Sequence, residues 1–148
     1  MNKIGISSCL VGICCRYNNE KLKLDLRAKL KDYELILFCP ELLGGLSCPR
    51  SPAEIKGGDG FDVLMGKAKV ITSEGRDVSQ NFIVGALKSL EYLKQQHVKK
   101  VILKSNSPSC SNAMIYDGTF STTKVVGVGV TCACLLLNDF IVINETEL

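Results

Sequence analysis

The fold class follows from two adjoining segments, in which a helical pattern runs into a strand pattern. "DVSQNFIVGALKSLEYLKQQ" (residues 77–96) places Ile83, Leu87 and Leu90 on one face of a predicted helix. "KKVILK" (residues 99–104) follows as a short apolar strand. A helix that leads directly into a buried strand is typical of α/β proteins.

The flanking segments continue this alternation of strand and helix. "KIGISSC" (residues 3–9) predicts a first strand, and "ELILFCPE" (residues 34–41) predicts a second one that stops at Pro40. The remaining predicted elements are a short amphipathic helix within 21–33, a hairpin made of 62–66 and 67–72, a helix over 127–139 and a strand over 140–144. We therefore predict one α/β domain over residues 1–148, with a three-layer Rossmann-like fold. Its mainly parallel sheet should have about four strands, with a small β-hairpin insertion.

Composition limits the kinds of partner. The chain has 148 residues, and its 18 basic and 15 acidic side chains give a net charge of +3, without the surplus of a nucleic-acid-binding protein. No apolar run approaches the roughly 18 residues that span a bilayer. We expect a cytoplasmic protein with a small-molecule partner, and neither a nucleic acid polymer nor a membrane.

Eight cysteines are many for a reducing compartment, so metal, redox or sulfur chemistry must be considered. Three of them follow predicted strands: Cys9, Cys39 and Cys110. Ligands of open α/β sheets bind outside the carboxyl ends of the strands, so these three thiols are predicted to meet at one cleft. The other five lie in the apolar helix pattern, in a Gly/Pro-rich loop or next to each other: Cys132, Cys134, Cys48, Cys14 and Cys15.

Spacing alone leaves the bound group open. The paired C-x2-C motifs of structural zinc sites are absent, and Cys9 and Cys14 form a C-x4-C pair without the next cysteine of plant-type ferredoxins. Three thiolates on a four-iron cluster would leave one iron free for a substrate atom, as in an enzyme. A metal-binding module or a thiol-based sulfur carrier without catalysis of its own stays the alternative.

Several motifs, in order, resemble those of the thiouracil desulfidase family, long catalogued as a domain of unknown function. The similarity covers about residues 4–143. Its motifs are "ISSCLVGICCRY" (6–17), "CPELLGGLSCPRSPAEI" (39–55), "GDGFDVLMGKAKVI" (58–71), "LKSNSPSCSN" (103–112), "YDGTFS" (116–121) and "GVGV" (127–130).

The resemblance implies an oxygen-sensitive, iron-sulfur-dependent enzyme. Its 4Fe-4S cluster would be held by Cys9, Cys39 and Cys110, with one open iron. The implied reaction is non-redox removal of sulfur, as sulfide, from thiolated pyrimidines such as thiouracil or thiouridine, by hydrolysis at that iron. Glu41 would be the catalytic acid/base, and Ser105 a second catalytic residue. Without the family, Glu41 is better interpreted as the charge at the start of a short helix, and Ser105 as an ordinary loop-capping residue.

Four residues beside these motifs are candidates for binding a thiolated base, nucleoside or nucleotide: Arg16, Tyr17, Arg50 and Lys104. Each arginine is as easily a structural clamp on the backbone, and Lys104 can equally be paired at the sheet edge. Backbone N–H groups near 107–110 are expected to support the cluster sulfurs. The oligomeric state does not follow from the sequence.

Overall fold

The computed structural model describes residues 2–13 and 25–148. The strands within these ranges are β1 Asn2–Ser7, β2 Tyr33–Phe38, β3 Ala53–Lys56, β4 Lys69–Thr72, β5 Lys100–Leu103, β6 Met114–Tyr116, β7 Lys124–Val126 and β8 Ile141–Asn144. The α-helices are α1 Pro40–Leu43, α2 Gly60–Leu64, α3 Ser79–Gln95 and α4 Val130–Leu137. Short 3-10 turns cover Ser8–Leu10, Arg27–Leu30 and Glu145–Glu147.

The main sheet has four parallel strands in the order β2-β1-β5-β8. Strand β1 pairs with β2 along its whole length, and on its other side Gly5 and Ile6 lie opposite Val101 and Ile102 of β5. The predicted α/β fold with a parallel sheet of four strands is confirmed.

Side chains of the central strands alternate between the two faces of the sheet. Val101 and Leu103 pack with Leu93 of α3 and Leu135 of α4. Ile102, between them, points to the opposite face, where it packs with β1 and with the 3-10 turns Ser8–Leu10 and Arg27–Leu30. The sheet thus lies between a layer of helices and a layer of short turns.

The predicted hairpin of 62–66 and 67–72 is wrong in its first strand. Residues Gly60–Leu64 form α2, and the hairpin instead pairs β3 with β4 in antiparallel fashion. The helix forms because Asp59 and Asp62 make a capping box: Asp59 Oδ1 accepts the N–H of Phe61, and Asp62 Oδ2 accepts the N–H of Asp59. A second antiparallel hairpin, β6–β7, was not predicted.

The predicted amphipathic helix within 21–33 is reduced to a 3-10 turn at Arg27–Leu30 in the part that the structure describes. Asp25 Oδ1 accepts the N–H of Arg27 at 3.0 Å, and the N–H of Leu26 donates to the carbonyl of Leu10. The bond from Arg27 to Asp25 is typical of the start of a helix, and β2 already begins at Tyr33, so only a short element fits between them. Residues 21–24 lie outside the described ranges.

Of the helices in 2–13 and 25–148, none is long and apolar enough to cross a lipid bilayer.

Candidate functional site

The carboxyl ends of β1, β2 and β5 border a cleft of about 840 Å³. Cys9 lies in the 3-10 turn after β1, Cys39 directly precedes α1, and Cys110 lies in the loop after β5. All three cysteines line this cleft, and Ser7 Oγ lies 3.4 Å from Cys9 Sγ. The structure therefore brings the three predicted thiols together, while their role as metal ligands stays a prediction.

Cys110 is the most deeply placed thiol of the three. Only 4% of this residue is exposed, and this burial raises the pKa of its thiol well above the ordinary value. The negative charges of Glu41, Cys9 and Cys39 raise this pKa further. Because a metal binds the thiolate, loading this site must release the proton of Cys110.

Within 2–13 and 25–148, no group of three or more His, Cys, Asp or Glu side chains is arranged to hold one metal ion. The alternative of a preformed single-ion site therefore gains no support from the described residues.

The loop that carries Cys110 is held from inside by Ser107. Its Oγ accepts the N–H groups of Ser109 and Cys110, both at 3.1 Å, and its carbonyl accepts the N–H of Ser111. The expectation that the N–H groups of 107–110 support cluster sulfurs is therefore wrong for Ser109 and Cys110, because both N–H groups are used within the loop.

The same loop is attached to the start of α4. The N–H of Val130 donates to the carbonyl of Pro108 at 2.9 Å, and that of Thr131 donates to the carbonyl of Ser109 at 2.8 Å. The hydroxyls of Ser109 and Thr131 share a further bond of 2.8 Å. Cys110 is thus positioned by a helix whose residues 130–135 are all buried.

Gly129 allows this close approach between loop and helix. A Cβ at this position would lie 2.3 Å from the backbone carbon of Ser109.

We expect Gly129→Ala to destabilise the protein by about 3 kcal/mol, because the backbone of the Cys110 loop must move. Urea unfolding measures this. The control is Gly75→Ala in an open turn at φ +87, where backbone strain alone should cost about 1 kcal/mol. Equal losses in both variants would contradict the packing argument.

Glu41 lies in the first turn of α1 and points into the cleft. Arg50 Nε and Nη2 both donate to its Oε2, at 2.8 and 2.5 Å. The side chains of Arg50 and Glu41 are only 10% and 18% exposed. Helix α1 in turn packs tightly on α3, since a Cβ on Gly85 would lie 2.1 Å from the carbonyl oxygen of Pro40. Arg50 therefore fixes the orientation of the carboxylate.

Ser105 also lines the cleft, and its partner is a residue that sequence reasoning missed. Glu145, in the turn after β8, accepts the N–H of Ser105 on Oε1 and the hydroxyl of Ser105 on Oε2, both at 2.7 Å. Lys104 Nζ lies 3.1 Å from the same Oε2. The order of β5 and β8 creates this contact, and the acidic "NETEL" end of the chain carried no signal for it.

The hydrogen bonds to Glu145 predict a specific dependence of stability on pH. Burial raises the pKa of this carboxyl, but bonds from Ser105 and Lys104 outweigh it and leave the pKa below the ordinary 4.5. A lowered pKa stabilises the fold above pH 4.5, and the stabilisation is lost as the pH falls through the folded-state pKa. We expect the free energy of unfolding, measured with urea between about pH 7 and pH 3, to decrease less for Glu145→Gln than for the natural chain as the pH falls. Identical slopes would contradict this.

The remaining predicted residues are placed as follows. Arg50 and Lys104 line the cleft, each paired with a glutamate, whereas Arg16 and Tyr17 lie outside the described residues, as do Cys14 and Cys15. Cys132 and Cys134 are buried in α4, as predicted for small apolar residues, and burial raises the pKa of Cys132 to about 12. Cys48 is partly exposed and does not line the cleft.

Fold and site together define a class: an α/β protein with a thiol-lined ligand cleft at the carboxyl ends of its parallel strands. The model of the 2-thiouracil desulfurase family matches residues 4–147, and the chain belongs to this family. The resemblance found in the sequence motifs is thereby confirmed.

Two relatives extend this assignment. The chain is 51% identical over 144 residues to the uncharacterized protein YbbK of Bacillus subtilis (strain 168), which covers 97% of this chain and 95% of that protein. It is also similar to the solved structure of TudS, a 4Fe-4S-dependent thiouracil desulfidase. That match has a TM-score of 0.85 and 33% identity, and covers 100% of this chain and 93% of the other.

Proposed function

We propose that this protein is a thiopyrimidine desulfidase that removes sulfur from a thiolated base as sulfide, by a non-redox hydrolysis. The observation that carries this proposal is that Glu41 and Ser105 line the same cleft as Cys9, Cys39 and Cys110. A module that only binds metal or carries sulfur needs the thiols but not a carboxylate and a hydroxyl beside them. Family membership supports the same reaction.

The donor set of the cleft suits a 4Fe-4S cluster. Thiolates are the usual ligands of such clusters, and Cys9, Cys39 and Cys110 would hold three irons, leaving the fourth without a protein ligand. When bound, the cluster would supply a Lewis-acidic iron suited to the soft sulfur of a thiocarbonyl group. The cofactor of TudS supports this assignment.

Glu41 is proposed to activate the water that attacks the ring carbon. A carboxylate that is partly buried and fixed in orientation is an effective general base. Because Arg50 binds Oε2, Oε1 is the oxygen that would take the proton from water. Arg50 would then position Glu41, and its Nη1 also donates to the backbone carbonyl of Ser47, which is the kind of contact that the sequence left open as the alternative for this arginine.

The cleft sets the size of the substrate. Its volume of about 840 Å³ falls within the range of small-molecule sites, roughly 300–1,000 Å³, and suits a base, nucleoside or nucleotide. Tyr116 and Phe120 line its wall, so aromatic contacts are available to a pyrimidine ring. Lys104 and Arg50 line it as well, and with Arg16 and Tyr17 they remain our proposed substrate-binding residues.

The test is sulfide release from a panel of thiolated compounds by protein purified and reconstituted without oxygen. The panel contains 2-thiouracil, 4-thiouracil, the corresponding thiouridines and their monophosphates. We expect catalytic sulfide release from at least one compound, with uracil or uridine as the other product. Iron-loaded protein that releases no sulfide from any of them would overturn the proposal and favour a module without catalysis.

A further inference from the structure

We propose that Glu145 is a positioning residue that turns the Ser105 hydroxyl into a hydrogen-bond acceptor facing the cleft. The enzyme would therefore select substrates that present a ring N–H to Ser105. This inference rests on the proposed function and deepens it, because it names the chemical feature of the substrate that Ser105 recognises. It also replaces the simplest role for Ser105, that of a donor to the substrate.

The geometry leaves the Ser105 hydroxyl without a proton to donate into the cleft. A serine hydroxyl has one hydrogen and two lone pairs. That hydrogen is directed to Glu145 Oε2 at 2.7 Å, and the N–H of Ser105 occupies Oε1 at the same distance. With both of its oxygens bound to the same residue, the carboxylate fixes the backbone and the side chain of Ser105 at once.

Lys104 stabilises the direction of this hydrogen bond, in which Ser105 donates and Glu145 accepts. Its ammonium lies 3.1 Å from Glu145 Oε2, so the carboxylate faces a positive charge at a site where only 9% of its side chain is exposed. An ionised carboxylate only accepts hydrogen bonds, so it cannot return a proton to Ser105. Lys104 Nζ also donates to Ser105 Oγ at 3.3 Å, which occupies one lone pair and leaves the second for a ligand.

The matching ligand group is a ring N–H. Both ring nitrogens of 2-thiouracil carry a hydrogen and flank the carbon that bears sulfur. An acceptor at Ser105 pairs with one of these N–H groups, whereas a ring nitrogen that is alkylated or deprotonated would leave the Ser105 lone pair unpaired. Sites built around a hydrogen bond strongly reject analogues that lack the donor.

Glu145→Gln is the substitution that reverses the direction of the hydrogen bond between the side chains of residues 145 and 105. Glutamine keeps the shape of glutamate but has one acceptor oxygen and one donor NH₂ group. Its oxygen can still accept the N–H of Ser105, and its NH₂ group then donates to Ser105 Oγ. The hydroxyl proton is thereby released towards the cleft, where it faces the substrate N–H as a second donor.

The experiment is a thermodynamic cycle that combines one change in the enzyme, Glu145→Gln, with one change in the substrate, methylation of a ring nitrogen. We measure kcat/KM for 2-thiouracil and its N1-methyl and N3-methyl derivatives, with the iron-loaded natural chain and with Glu145→Gln. Because steric exclusion of a methyl group is the same in both proteins, it cancels, and only the coupling remains. At one of the two nitrogens, we expect methylation to lower the kcat/KM of the natural chain by a factor about ten times larger than the factor for Glu145→Gln.

Glu147→Gln is the matched control, because Glu147 belongs to the same terminal turn and accepts the N–H of Asn144. It should behave like the natural chain in the cycle. If Glu145→Gln does not fold, Ser105→Ala takes its place and should remove the same coupling. Equilibrium binding of uracil and its N-methyl derivatives to the unreconstituted proteins gives a readout independent of turnover, and the same coupling is expected there.

If the effect of methylation differs by less than about twofold between the natural chain and the variant, at both nitrogens and in both turnover and binding, the proposed role of Glu145 is overturned. Sulfide release by the natural chain would still leave the proposed function intact. Failure of the natural chain to release sulfide from any thiolated compound would instead remove the proposed function. The two failures are therefore distinguishable.

Discussion

Replacing Cys110 with alanine is expected to abolish sulfide release and to reduce bound iron from about four atoms per chain to nearly none. Cys110 is buried, and the loop that carries it is attached to α4, so we expect no neighbouring group to replace the thiol. Cys9→Ala and Cys39→Ala should have the same effect. Iron content and the visible absorption of reconstituted protein measure it.

Cys132→Ala and Cys134→Ala are the matched controls, since both thiols are buried in α4 and neither lines the cleft. We expect each to keep its iron and its activity while losing about 1–3 kcal/mol of stability from the missing sulfur. A full complement of iron and undiminished turnover in Cys110→Ala would show that the cluster is held elsewhere.

Glu41→Gln should slow sulfide release by about 10²–10⁴-fold while the iron content stays unchanged. The amide keeps the size of the carboxylate, and its oxygen in place of Oε2 can still accept both hydrogen bonds from Arg50, but it cannot take a proton from water. Single-turnover sulfide release with reconstituted protein separates this chemical step from substrate binding. Since Arg50 is nearly buried, some loss of folding stability should accompany the change.

Glu54→Gln provides the comparison for Glu41. Glu54 is a second glutamate that lines the cleft, and its Oε1 accepts the N–H groups of Gly118 and Phe120. An amide oxygen can still accept both bonds, so its activity should stay within a few-fold of that of the natural chain. Turnover by Glu41→Gln at the natural rate would remove Glu41 as the base and leave the cluster assignment untouched.

Sequence periodicity predicted the strands of the main sheet and helix α3. Strand β5 buries a continuous apolar run, whereas α3 buries residues spaced along one face. The order of the strands along the chain was sufficient to place Cys9, Cys39 and Cys110 at one end of the sheet. The parts that failed depend on polar contacts of single residues. The capping box at Asp59 made a helix from a segment with a strand-like pattern. Asp25 accepts the N–H of Arg27 at the start of the turn Arg27–Leu30, and the start of β2 at Tyr33 leaves no room for a longer helix.

The partner of Ser105 was not predictable for a different reason. Glu145 lies 40 residues from Ser105 in sequence, and the two meet only because β5 and β8 are neighbours in register, with Leu103 opposite Asn144. Strand order is decided by tertiary packing, which local patterns do not encode. Glu41 and Arg50 are close in sequence, yet the Gly/Pro-rich loop between them has no periodic pattern from which their ion pair could be predicted.

The sheet order β2-β1-β5-β8 has a consequence for how the protein would acquire the proposed cluster. The two central strands, β1 and β5, are distant in sequence, and pairs with large sequence separation form late because closing the chain costs entropy. Cys9 and Cys110 are brought to the same cleft only once the long-range pairing of β1 with β5 has formed. A cluster that binds the native chain alone shifts the folding equilibrium by mass action, so cluster loss by oxidation should shorten the lifetime of the folded protein as well as stop its chemistry.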